Sequence, residues 1–151
     1  MNSKKSTIKI LFLCHGNICR SPMGEFMLKD MVKKAGAEDR FEIASAAVST
    51  DEIGNPVYPP ARRELAKHGI DCAGKTARQV TKQDLAYYDR IFYMDDSNLN
   101  WLQWHFGEDA AKCEKLLLWD VADPWYTNDF GRTWEDLEEG CKNILKEYGI
   151  C

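Results

Sequence analysis

No apolar run in the 151 residues is long enough to cross a bilayer. The basic start, MNSKKSTIKI, leads into an apolar stretch too short and too strand-like for an export signal. The chain therefore reads as cytoplasmic, with no membrane partner. Positive charge is also short: 20 Lys and Arg against 24 Asp and Glu leave a net charge of -4, which does not suit a nucleic-acid binder. None of the cysteines (Cys14, Cys19, Cys72, Cys113, Cys141, Cys151) stands in a C-x-x-C pair. Without an export signal they read as reduced thiols rather than as a disulfide framework. Cys14, His15 and Cys19 form a C-H-x3-C group that fits no common zinc spacing, so no metal site is expected. Repeats, low-complexity tracts and Gly/Ser linkers are missing too. What remains is 44% hydrophobic and 29% charged residues in a length that suits one core. A single domain over residues 1–151 is expected.

Along the chain, apolar runs alternate with helical periodicity. Ile8 to Leu13 is apolar almost throughout, the mark of a strand buried on both faces and central in a parallel sheet. Ser21-Pro22 predicts a helix start, with serine at the N-cap and proline at the first helical position. Met23, Phe26, Met27 and Met31 follow at helical spacing, and Gly36 closes the segment. Phe41 to Val48 is a second strand, Arg62 to His68 a helix ending at Gly69, and Arg90 to Met94 and Lys115 to Trp119 two further strands. Ser97 is read as the cap of a helix carrying Leu99, Leu102 and Phe106. A closing helix is expected from Trp134 to Tyr148, with Leu137, Cys141, Ile144, Leu145 and Tyr148 on one face. The pattern predicts an α/β fold: a four-stranded parallel sheet with helices on both faces. Ligands of such folds sit beyond the carboxyl ends of the strands, and Cys14 stands at the carboxyl end of the first.

The stretch CHGNICRSP, Cys14 to Pro22, runs from that strand into the helix. Such a loop points backbone N–H groups at a common centre, where the helix dipole adds about half a positive charge. The nest suits an anion, phosphate above all. Gly16 is expected to let the backbone turn without a Cβ penalty, and Asn17 to accept left-handed dihedrals. Arg20 offers a planar fork for two phosphate oxygens. The loop lacks the G-x-x-x-x-G-K-[ST] pattern of a nucleotide P-loop. Helix N-termini and nearby cations favour thiolate over thiol, so the groups that attract phosphate also activate Cys14. A thiolate on the floor of a phosphate cradle is set up to attack phosphorus. The Ser21 hydroxyl can hydrogen-bond the sulfur and stabilise it as a leaving group.

CHGNICRSP resembles the signature loop of the low-molecular-weight protein-tyrosine phosphatases. SAAVSTDEIGNP, KHGI, ARQVTKQDL, MDDSNL and DPWYTNDF fall in that family's order, so the resemblance spans most of the chain. It implies hydrolysis of phosphotyrosine in proteins or peptides, with inorganic phosphate and other oxyanions as inhibitors and no cofactor. It makes Cys14 the nucleophile that forms a phosphocysteine and Arg20 the clamp on the equatorial oxygens. Asp123, in the Asp-Pro match, becomes the general acid and then the base. His15, Gly16, Asn17, Ile18, Cys19 and Arg20 form the phosphate-binding loop. Ser21 supports the sulfur, and Asn17 braces the loop through Ser45. Ile18 goes with phosphotyrosine, where threonine goes with phosphoarginine.

Plainer roles stand beside these. Cys19 reads equally as a small core residue and as a resolving thiol able to form a disulfide with an oxidised Cys14. Asp123 could cap a turn, and Asp120, three residues away, could be the acid instead. Trp125 and Tyr126 could be core aromatics; the resemblance sets them on the substrate rim. Two positions depart from the family. Asp51 stands where an aromatic wall is usual, and Lys75 where some members carry a histidine behind the loop near Glu25. His15 is expected to point outward, and no histidine is given a catalytic role. A thioredoxin-coupled arsenate reductase on the same fold needs two further mid-chain cysteines, and only Cys72 lies there. A silent phosphate-binding module would have lost Cys14 or Asp123. A phosphoarginine phosphatase is the remaining alternative.

Overall fold

The alternation of side chains along Ile8–Cys14 (β1) feeds two cores at once. Ile10 and Phe12 point to one face of the sheet and Leu11 and Leu13 to the other, all fully buried. Only a central strand has this pattern. β1 pairs in parallel with Phe41–Ala47 (β2) on one side and with Arg90–Tyr93 (β3) on the other. Glu114–Lys115 (β4) completes an all-parallel sheet of order β2-β1-β3-β4. This is the α/β architecture that the sequence pattern predicts. The computed structural model describes residues 7–150. The ends of the expected domain, residues 1–6 and Cys151, lie outside the described residues.

On the first face pack Arg20–Lys34 (α1), Pro59–Lys67 (α2) and, further along the chain, the closing helix Phe130–Glu147. Lys82–Tyr87 (α3) and Asp96–Phe106 (α4) cover the second face. The single turn Pro124–Thr127 (α5) precedes the closing helix, α6. The expected inner face of α6 holds: Leu137, Cys141, Ile144 and Leu145 are buried, with Tyr148 packed against the same core.

Several boundaries differ from the sequence reading, each for a local reason. α1 begins at Arg20, with Cys19 rather than Ser21 at the N-cap. The Ser21 hydroxyl is engaged with Cys14 instead of capping. α2 begins at Pro59, since two prolines pre-set the first turn. α3, not anticipated, is held by a reciprocal capping box between Thr81 and Asp84. α4 is capped by Asp95, not Ser97: Asp95 accepts the Asn98 N–H at 2.8 Å. α6 starts at Phe130 because Asp129 accepts the Arg132 N–H at 2.9 Å. β4 stops at Lys115, short of the expected Trp119. Leu118 is 97% exposed, so the apolar run leaves the sheet instead of extending it.

Gly140 marks the tightest helix–sheet approach: a Cβ there would lie 2.5 Å from Leu116 Cγ. Gly140→Ala gains helix propensity but forces a buried leucine to move. It is expected to lower stability by about 1–2 kcal/mol, read from denaturant midpoints at unchanged m-value.

Candidate active site

Three strand ends converge at the carboxyl edge of the sheet. Cys14 closes β1, Asp95 follows β3, and Asp123 follows β4 at the start of α5. Between Cys14 and Arg20 the backbone makes a tight loop. Asn17 takes the left-handed conformation there, φ 61°, as its residue type allows. Gly16 serves otherwise than expected. It has no left-handed φ, and its space is limited by Glu52, whose Cγ would lie 3.1 Å from an added Cβ.

The Cys14 sulfur gathers donors. It accepts the backbone N–H groups of Asn17 and Ser21, each at 3.3 Å, and lies 3.0 Å from the Ser21 hydroxyl. The Ser21 N–H is one of the unpaired donors of the α1 N-terminus, so the sulfur stands where a capping side chain would. Asn17 Nδ2 donates to Ser21 Oγ at 2.8 Å and to Ser45 Oγ at 2.9 Å, while Oδ1 accepts the Arg78 N–H at 3.2 Å. With both amide protons spent, Ser45 passes its own proton to Glu25 Oε1 at 2.6 Å. Lys29 caps Glu25 Oε2 at 2.6 Å. Lys75 donates to the Ser45 carbonyl at 2.8 Å, with Glu25 Oε1 at 3.6 Å. Burial pulls the Lys75 amine down from its ordinary value, and Glu25 offsets part of the drop.

Arg20 is 2% exposed. Its Nη1 donates to Asp95 Oδ2 at 2.6 Å and to the Val121 carbonyl at 2.8 Å, and Nη2 lies 3.3 Å from Asp123 Oδ2. Burial works against the guanidinium charge, but Cys14, Asp123 and Asp95 outweigh it and push the pKa above its ordinary value. Cys19 faces the opposite field. Burial, Cys14 and Asp123 drive its thiol far up, so it stays a neutral, buried group.

These groups line a cavity of about 160 Å3. Cys14, Arg20, Ile18 and Cys19 lie along it with Asp123, Trp125 and Tyr126, while Asn17, Ser21 and Ser45 stand behind the loop. Asp123 Oδ1 also accepts the Trp125 N–H at 3.1 Å, so the carboxylate caps a turn with one oxygen and meets Arg20 with the other. Asp120 is turned away, 2.7 Å from Lys115. Trp125 packs on Tyr58 with ring centroids 4.8 Å apart, and Tyr126 is 83% exposed. Asp51 and Glu52 form the other rim. His15, expected to point outward, lies on that rim as well, because Asp51 holds its Nε2 at 2.7 Å. Sequence reasoning missed Glu52 on the rim and, behind Arg20, Asp95. The signal for Asp95 was its place in MDDSNL, at the carboxyl end of a strand.

Comparison with known proteins agrees with this geometry. The family model described as low molecular weight phosphotyrosine protein phosphatase matches residues 9–149. The Bacillus subtilis low molecular weight protein-tyrosine-phosphatase YfkJ is 37% identical over 146 residues, covering 91% of this chain and 94% of YfkJ. The YfkJ crystal structure superposes with a TM-score of 0.91 at 36% identity, covering 96% of each chain. SP-PTP, the low molecular weight protein tyrosine phosphatase of Streptococcus pyogenes, gives 0.85 at 35% identity and 93% coverage of each. Vibrio vulnificus Wzb, in complex with benzylphosphonate, gives 0.82 at 25% identity, covering 94% of this chain and 99% of Wzb. The fold is thus that of the small protein tyrosine phosphatases. The chain belongs to the low molecular weight phosphotyrosine protein phosphatase family.

Ser45→Ala removes the one group that both receives from Asn17 and donates to Glu25, leaving a buried amide proton and a buried carboxylate short of partners. It is expected to cost about 1–3 kcal/mol of stability, measured by chemical unfolding.

Proposed function

We propose that this protein hydrolyses phosphotyrosine in proteins or peptides through a phosphocysteine intermediate. The observation that carries the reading is the Cys14 sulfur, held by two backbone N–H groups and the Ser21 hydroxyl within one cavity with Arg20 and Asp123. The donors that hold the sulfur are the kind that cradle an anion at a helix N-terminus.

The Cys14 thiolate attacks phosphorus as the bond from phosphorus to the tyrosine oxygen breaks. Asp123 gives its proton to the departing phenolate, a poor leaving group because phenol holds its proton up to a pH of about 10. Asp95 and Val121 occupy Arg20 Nη1, so Nε and Nη2 form the side-on fork for two equatorial oxygens, with Nη2 exchanging its 3.3 Å contact with Asp123 for the phosphate. In the second step the Asp123 carboxylate takes a proton from water. The water oxygen bonds to phosphorus, and the sulfur leaves as a thiolate. The Ser21 proton stabilises it, since Asn17 already donates to the Ser21 oxygen and frees that proton for sulfur. Backbone N–H groups and Arg20 meet the phosphate charge, and the mechanism as drawn uses no cofactor. Ile18 on the cavity wall favours phosphotyrosine over phosphoarginine. Inorganic phosphate and other oxyanions would compete for the same cradle. Binding of a phosphonate by Wzb supports this.

Cys14→Ser is expected to abolish turnover and keep binding of a phosphate analogue, followed by single-turnover kinetics and calorimetry. Appreciable residual hydrolysis would remove the covalent step. Asp123→Asn is expected to lower kcat by about 10²–10⁴ for an aryl phosphate with a basic leaving group. The loss should be much smaller for an activated leaving group. Equal losses with both esters would show that Asp123 is not the acid.

A further inference from the structure

α4 carries two indoles for which the fold has no use. Trp104 is 82% exposed and Trp101 38%, whereas the helix buries Asn98 and Leu102. Spaced three residues apart, the two tryptophans share a face, and with Asn100 they line a shallow depression. This strip reaches the active site. The Trp101 ring meets the His15 ring edge-on with centroids 5.9 Å apart and stacks on His105 at 5.4 Å. His15 in turn lines the catalytic cavity and is held there by Asp51. An aromatic path therefore runs from the cavity mouth onto the outer face of α4.

We propose that Trp101 and Trp104 dock a basic side chain, arginine above all, of the substrate segment that flanks the phosphotyrosine. The proposal rests on the phosphatase reading above. Two observations select a cation as the occupant. The outer rim of the cavity is acidic: Glu52 lines it beside Asp51, one of whose oxygens holds His15, while Asp123 is engaged by the buried Arg20 deeper in. Among the described residues Glu52 is held only by a neutral donor, the Asn55 amide at 2.9 Å, so its charge remains available to an incoming peptide. The surface beyond His15 presents indole faces, which attract a guanidinium both electrostatically and by stacking. An acidic flank would meet like charge at the rim and find no partner on the strip. The reach fits an extended chain. From the His15 ring to Trp101 and then one helical step to Trp104 is a path of roughly three or four residues at ~3.3 Å each.

The test uses phosphotyrosine peptides that carry one arginine, moved a residue at a time along either flank, with alanine peptides as the reference. The quantity read is the ratio of kcat/KM for the arginine peptide to that for the alanine peptide. The expected result is a preference of about two- to fivefold, mainly through KM, when arginine stands about three or four residues from the phosphotyrosine on one flank. The preference should vanish in Trp104→Ala and persist in Trp104→Tyr, which keeps an aromatic face. Alanine peptides turned over equally well by the native protein, with no arginine preference at any position, would overturn the docking site alone. So would a preference that survives Trp104→Ala, or one for leucine over arginine. A Trp104-dependent dimer in sedimentation, without arginine preference, would assign the strip to a second copy of the chain and overturn the proposal. Failure to turn over any phosphotyrosine peptide would overturn the phosphatase reading and the docking site with it.

Discussion

One side-chain amide holds the catalytic edge of this molecule in order. Asn17 sits in the left-handed region, so its side chain turns inward beneath the loop and meets three separate segments. Because its oxygen accepts from the Arg78 backbone, its nitrogen must face the two serines, and both of its protons are spent there. The roles of the two serine oxygens then follow: each accepts from the amide. Ser45 donates to Glu25, and Ser21 keeps one proton, which faces the Cys14 sulfur at 3.0 Å and the Ala46 carbonyl at 3.4 Å. Two branches thus leave the amide, one through Ser45 to the buried Glu25 carboxylate and one through Ser21 toward the sulfur, and each bond polarises the next. Replacing any member leaves a dry polar atom without a partner, which is why the network is costly to interrupt.

Arg20 obeys a related constraint with a full charge. A guanidinium taken out of water is unfavourable unless acceptors surround it, and a buried ion pair of this kind organises geometry more than it stabilises. Asp95 and the Val121 carbonyl satisfy the inner side of the group. Asp123 approaches the outer side at 3.3 Å, from a loop that also carries the rim aromatics. The sheet order makes this possible. With β1 central, loops after β1, β3 and β4 arrive at one edge, and groups separated by about a hundred residues meet across a small cavity. Cys19, a step away in sequence from the same arginine, is kept neutral by burial and by its negative neighbours.

The features legible in the sequence were those that depend on local physics. β1 announced itself because a strand buried on both faces is apolar along its buried length, here Ile10 to Leu13. The loop did so because a thiol, a left-handed asparagine and an arginine at a helix start have few other uses together. Capping ends were misread where tertiary partners won. Ser21 looks like an N-cap until a sulfur takes its hydroxyl, and Ser97 looks like one until Asp95, placed by a strand, caps first. β4 was overextended because LLLW is apolar whether or not it is covered, and Leu118 is not. Asp95 went unseen as a partner of Arg20 because the pair is 75 positions apart. The turn of His15 toward Asp51 depends likewise on a contact between loops, 36 positions apart, that local pattern does not encode.

The asparagine anchor also bears on synthesis. Its partners lie 28 and 61 positions downstream, at Ser45 and Arg78, and the Arg20 environment draws on Val121, 101 positions away. In a chain made from its amino end, the CHGNICRSP segment appears before the distant partners that order it. Until β2 follows, the first strand has no parallel neighbour, and until Ser45 and Arg78 follow, the amide has only Ser21 to meet. The cavity around the thiol is complete only when Val121 and Asp123 are available to meet Arg20.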